Sequence, residues 1–157
     1  MGRSLVGWRE TLKRLLFAAA AVALTACSAL SPQTTRPPLD SAALTAAVGA
    51  SGQPVSNVKA FTAEHDVNHL LGRPNQYVAK VSWDDSRLAN GGQGTIEVFA
   101  SVEDLRARQK YTQAISDSAG ARSQYIVPNE ERLALMRLPH QLTPEQAEAY
   151  KGWFASL

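Results

Sequence analysis

Glu64, His65, Asp66 and His69 place two carboxylates and two imidazoles in one short stretch, Thr62-Ala63-Glu64-His65-Asp66-Val67-Asn68-His69-Leu70-Leu71-Gly72-Arg73-Pro74. Such side chains offer the oxygen and nitrogen donors that bind zinc, and His65 with His69 stand at i, i+4, which puts two ligands on one helix face. The His-Glu-x-x-His motif, however, requires glutamate where Asp66 stands. A second reading of the same residues is an ordered connection. Asp66 or Asn68 would bond local backbone amides, Leu70 and Leu71 would plug into the core, and Gly72-Arg73-Pro74 would turn the chain into its next strand. Either way this loop is the best contact surface in the sequence, with Glu64, His65, Asp66, Asn68, His69 and Arg73 as candidate binding residues.

The single cysteine, Cys27, carries a different chemistry. It closes Leu24-Thr25-Ala26-Cys27 behind an apolar run, Leu15 to Leu24, and a basic start holding Arg3, Arg9, Lys13 and Arg14. That is the order of a secretory signal ending in a lipobox, and the apolar run is too short to span a bilayer. In such a signal the thiol takes a thioether-linked diacylglycerol, cleavage makes Cys27 the new N-terminus, and an N-acyl chain can follow. The expected organisation is a signal peptide over 1–26, a flexible tether over 27–39 and one domain over 40–157. The expected address is a membrane, lipid-anchored, facing the extracytoplasmic side.

Other catalytic patterns are weak. Gly91-Gly92-Gln93-Gly94 lacks the Gly-Lys-Ser/Thr ending of a phosphate loop and joins strand to strand, so it reads as a turn. No Gly-x-Ser-x-Gly elbow is present. Asp84 and Asp85 are neighbours on a strand end, where successive side chains diverge, and are expected to end the strand and stay solvated. His140 reads as a loop residue, and Trp83, Trp153 and Phe154 as core aromatics. No catalytic residue is assigned, and no cofactor beyond the lipid.

Four of the sixteen basic residues and one of the fourteen acidic ones precede Cys27. The remainder is close to neutral, without the basic footprint of a nucleic-acid binder. One cysteine allows no internal disulfide, so stability must come from a packed core, for which the length is adequate.

The elements that must hold the loop are readable in part. Asp40 or Ser41 caps a short Ala-rich helix ending near Ala50. Val55 to Thr62 has strand composition. Tyr77 to Trp83 alternates, with Tyr77, Ala79, Val81 and Trp83 on a buried face and Val78, Lys80 and Ser82 on a mostly wet one. Thr95 to Ala100 completes a hairpin with Ile96, Val98 and Ala100 on one face. Ser101 caps a helix running to about Ser118, with an apolar stripe of Leu105, Tyr111 and Ile115. A second hairpin joins Gln124–Val127 to Leu133–Leu138 through Pro128-Asn129-Glu130-Glu131. Thr143, Pro144 and Gln146 spell a capping box for the last helix, whose Ala147, Tyr150, Phe154 and Leu157 share a face. The expected fold is α+β: a mainly antiparallel sheet of four to five strands, two longer helices on one face, and a short N-terminal helix.

Asp66 to Tyr77, Ile96-Glu97-Val98-Phe99 and Leu142-Thr143-Pro144-Glu145-Gln146-Ala147 together resemble a family of small lipoproteins from Gram-positive bacteria. The most specific piece is Leu71-Gly72-Arg73-Pro74 followed by Tyr77. Family members carry Asp-Pro-Asn before Leu-Leu-Gly-Arg-Pro, whereas Val67 replaces the proline here, and His65 and His69 are not part of the pattern. The resemblance implies a lipid-anchored single domain and no activity. Two function classes follow: a noncatalytic module binding an envelope protein or small ligand, or a metal-binding protein or metal-dependent hydrolase built on Glu64 to His69.

Overall fold

The computed structural model describes residues 39–89, 92–120 and 123–157. The signal segment, Cys27 and all but the last residue of the tether lie outside the described residues, as do Asn90 and Gly91 of the first hairpin's turn. No helix among the described residues is long and apolar enough to cross a membrane.

The fold is α+β. A five-stranded antiparallel sheet has the order β1-β2-β3-β5-β4, made of β1 (Val55–Ala60), β2 (Ala79–Asp85), β3 (Gln93–Val98), β4 (Gln124–Asn129) and β5 (Ala134–Pro139). Three helices accompany it: α1 (Ser41–Gly49), α2 (Val102–Ser118) and α3 (Pro144–Ala155). Helix α2 carries the chain from β3 past the position of β5 to the far edge, and β5 then returns between them. Both edges are blunted against further pairing. The register of β1 slips between Ser56 and Lys59, with Asn57 in the left-handed region, and β4 carries Pro128.

The helix starts follow the side chains expected of them. Asp40 accepts from the Ala43 amide at 2.7 Å and Ser101 from the Asp104 amide at 3.2 Å. At α3 the box is reciprocal: Gln146 N donates to Thr143 Oγ1 at 3.3 Å and Thr143 N to Gln146 Oε1 at 2.9 Å. Each cap satisfies backbone donors that the helix itself leaves unpaired.

Strand alternation divides the buried side chains between two faces. Ala79, Val81, Trp83, Ile96, Val98, Met136 and Leu138 form the larger core with Leu44 and Val48 of α1 and Ala147, Tyr150 and Phe154 of α3. The opposite face holds a smaller cluster of Tyr77, Phe99, Leu105 and Leu135, with Leu70, Leu71 and Ile126 packed against it. The two longer helices therefore take opposite faces, not the single face expected: α3 lies on the large core and α2 on the smaller one. The second face of β2 is not wet either, since Lys80 and Ser82 are 5% and 1% exposed. Helix α2 buries Leu105, Thr112 and Ser116, while Tyr111 and Ile115 of the expected stripe are exposed. The apolar pattern misled because the buried side of α2 is mostly polar. Ala100 lies exposed beyond the end of β3.

Asp85 also departs from its solvated expectation. It is 2% exposed, takes both Arg87 Nε at 2.9 Å and Arg87 Nη2 at 2.6 Å, and accepts from Tyr150 Oη at 2.9 Å. Trp83 Nε1 donates to the same tyrosine oxygen at 3.3 Å. Burial and the Asp85 carboxylate push the Tyr150 phenol up to about 12. Gly94 lies directly across from Trp83, and a Cβ there would be driven into the indole.

Candidate functional site

The loop between β1 and β2 is organised around Asp66, whose side chain has no exposed surface. Its Oδ2 accepts from the amides of Leu70 at 3.0 Å and Leu71 at 3.1 Å, and from Tyr77 Oη at 2.6 Å. Its Oδ1 takes Lys80 Nζ at 2.7 Å. Burial alone would raise this carboxyl, but the bonds from Lys80, Tyr77 and the two amides outweigh it and hold it well below the usual range. Tyr77 is shifted upward, first by burial and then by the carboxylate it donates to. The bland sequence reading thus describes the backbone role of Asp66, and Leu70 and Leu71 do pack on the sheet.

The six loop residues do not converge. Asn68 joins Asp66 through Tyr77, its Nδ2 lying 3.4 Å from Tyr77 Oη. Glu64, His65, His69 and Arg73 are exposed. His65 Nδ1 lies 3.0 Å from Thr62 Oγ1, and Glu64 is held below its ordinary value chiefly by its bond with Thr62. His69 has a φ of 53° and donates its amide to Asp66 O at 2.8 Å, a turn rather than the helix that i, i+4 ligation needs. Among the described residues no group of three or more His, Cys, Asp or Glu is placed to hold a metal ion. Both Asp66 oxygens already face internal donors.

Beside Asp66 lies a second charged cluster that the sequence did not reveal. Glu97 is fully buried and receives Arg108 through two bonds, Nε at 2.9 Å and Nη2 at 2.8 Å, together with Arg137 Nη2 at 3.0 Å. The Arg108 guanidinium lies 5.5 Å from the Tyr77 ring centre, and Lys80 Nζ lies 4.5 Å from that of Phe61. The α2 and loop sides of this face are thus fixed to the sheet by buried ions.

Two hollows border the loop on this face. A groove of about 600 Å³ is bordered by the loop through Val67 and Asn68 and by Lys59, Lys80, Thr95 and Arg137 of the sheet. A neighbouring hollow of about 440 Å³ shares Asn68, Gln124 and Arg137 and is lined toward α2 by Tyr111 and Ile115. Of the expected loop residues, only Asn68 borders either hollow; Glu64, His65, Asp66, His69 and Arg73 do not. Lys59, Lys80 and Arg137 are the residues that sequence reasoning missed. For Lys80 the available sign was a lysine in an otherwise alternating strand, since a buried strand face has no reason to carry a cation without a partner.

No family model, no curated protein and no solved structure matches this chain.

Proposed function

We propose that this chain is an exported lipoprotein, anchored by lipid at Cys27, whose domain is a noncatalytic binding module for an envelope component. The observation that carries the binding part is the groove beside the loop: a hollow on a sheet face whose loop wall is held by the Asp66–Lys80 ion pair, next to a second hollow whose α2 side is held by Glu97–Arg108. Rigid walls reduce the ordering cost of binding. Supporting the anchor are the lipobox order of Leu24 to Cys27 and the basic, apolar segment before it. The resemblance to small lipoproteins of Gram-positive bacteria points the same way, toward the outer face of a cytoplasmic membrane. The contact surface in this reading is centred on Val67 and Asn68, with the exposed side chains of Glu64, His65, His69 and Arg73 around it.

Detergent-solubilised full chain mixed with separated envelope fractions, cell wall and membrane, tests this by co-sedimentation. One fraction is expected to retain the wild type and to lose Val67→Asp, a change at a residue that is 79% exposed and therefore outside the core. Equal behaviour of the two proteins, or retention by no fraction, would contradict the reading. A Cys27→Ala chain is expected to leave the detergent phase on Triton X-114 partition.

A further inference from the structure

One row of residues crosses the open sheet face from edge to edge: Lys59 pairs with Ser82, Ser82 with Thr95, Thr95 with Arg137, and Arg137 with Ile126. Paired residues in adjacent strands present their side chains to the same side. The two middle positions are short hydroxyl side chains and the two flanking them are long cations. Neighbouring strands are about 4.8 Å apart, so the lysine and arginine backbones stand roughly 14 Å from each other; of the two hydroxyl residues between them Thr95 lines the groove, whereas Ser82 is buried and does not.

Lys59, Lys80 and Arg137 line the groove, and among the described residues no aspartate or glutamate does. The nearby carboxylates, Asp66 and Glu97, are buried and already surrounded by donors. Lys80 is taken by Asp66, but Lys59 is exposed and, among the described residues, its ammonium meets the Phe61 ring, 5.2 Å from its centre, and no carboxylate. Arg137 uses Nη2 on Glu97, reaches Gln124 Oε1 from Nη1 only at 3.5 Å, and leaves Nε without an acceptor. Ser82 and Thr95 make no side-chain hydrogen bond to another described residue. A groove with an unpaired exposed ammonium, an arginine only partly engaged by Glu97 and a free hydroxyl at Thr95 matches the needs of a planar or tetrahedral oxyanion.

We propose that this groove binds an oxyanion group, carboxylate or phosphate, between Lys59 and Arg137 and against the Thr95 hydroxyl. The inference rests on the reading of the domain as a binding module and names the chemistry of its ligand. The acidic partner of that class is a small envelope molecule carrying such a group, with its uncharged part lying toward Val67 and Phe61, which border the same groove.

The test is a titration of nitrogen-15-labelled full chain in detergent with sodium phosphate and, separately, sodium acetate, sodium chloride holding the ionic strength constant. Saturable shifts are expected at the Arg137 Nε–H and the Thr95 amide. A response to phosphate alone identifies a phosphoryl ligand, and a response to acetate alone a carboxylate. Lys59→Gln, at an exposed site that carries no structural ion pair, is expected to weaken binding about threefold, the scale of one solvent-exposed charge contact. Thr95→Val is expected to weaken it as well. Shifts that rise linearly with both salts, or a Lys59→Gln protein with unchanged affinity, would overturn the inference. If an envelope fraction retains the chain while neither anion gives a saturable shift, the oxyanion assignment fails and the binding module stands. If an anion binds and no fraction retains the chain, the envelope reading fails and the site stands.

Discussion

Asp66 is a charge with no exposed surface, kept ionised by four donors from its own loop and from β2. Removing one member of a buried pair leaves the other uncompensated, at a cost of about 3 to 5 kcal/mol. Asp66→Asn is therefore expected to lower the unfolding free energy by about that range in urea titrations at neutral pH. Tyr77→Phe keeps the ring in the small core but removes a donor to a carboxylate, and is expected to cost about 1.5 to 3 kcal/mol. The pH dependence has a definite sign. Because the folded-state Asp66 carboxyl lies below its unfolded value, its contribution is complete above about pH 4 and is lost as pH falls from there toward the folded value. Urea midpoints measured from pH 5 down to pH 2 should fall less steeply in Asp66→Asn than in the wild type. An equal slope would show that Asp66 does not carry the linkage. Tyr150 has the opposite sign: its stabilisation is complete below about pH 10 and lost as pH rises through about 12.

At the level of elements, the reading from sequence succeeded where the signals are local. The α3 capping box, the Ser101 cap of α2 and both hairpins are written in residues a few positions apart, and each formed. Thr143→Ala is expected to cost about 1 kcal/mol, read as a lowered thermal midpoint. The polar side of the sheet was not legible. Lys80, Glu97, Thr112 and Ser116 are buried although their types suggest solvent. Their burial depends on partners brought together by the fold: Asp66 for Lys80, Arg108 and Arg137 for Glu97, and the Gln124 backbone for Ser116. Periodicity counts apolar positions, so it chose Tyr111 and Ile115 for the inner side of α2 and passed over Arg108 and Thr112. The same limit hid the groove, where Lys59, Thr95 and Arg137 come together only through strand register. Loop chemistry was half legible: Asp66 as a local backbone acceptor followed from its type, while its pairing with Lys80 did not. At Gly94 the missing side chain makes room for Trp83. Gly94→Ala is expected to cost about 1 to 3 kcal/mol by overpacking, measurable by urea unfolding.

Across the whole domain, the two faces of the sheet have different tasks. One joins Trp83, Tyr150, Phe154 and the aliphatic residues around them into the main core, beneath α1 and α3. The other exchanges apolar burial for ion pairs, and fixed charges there hold the loop and α2 to the sheet beside two neighbouring hollows. Substitutions should divide accordingly, with changes at Val67, Lys59 or Thr95 altering binding more than folding, and changes at Trp83 or Tyr150 doing the reverse. The most direct test is amide hydrogen exchange of the full chain with and without the envelope fraction that retains it. Added protection is expected in residues 61–76, in β1 around Lys59 and in the β3 and β5 segments holding Thr95 and Arg137. Protection confined to α1 and α3, or none above the free protein, would contradict a binding site on this face.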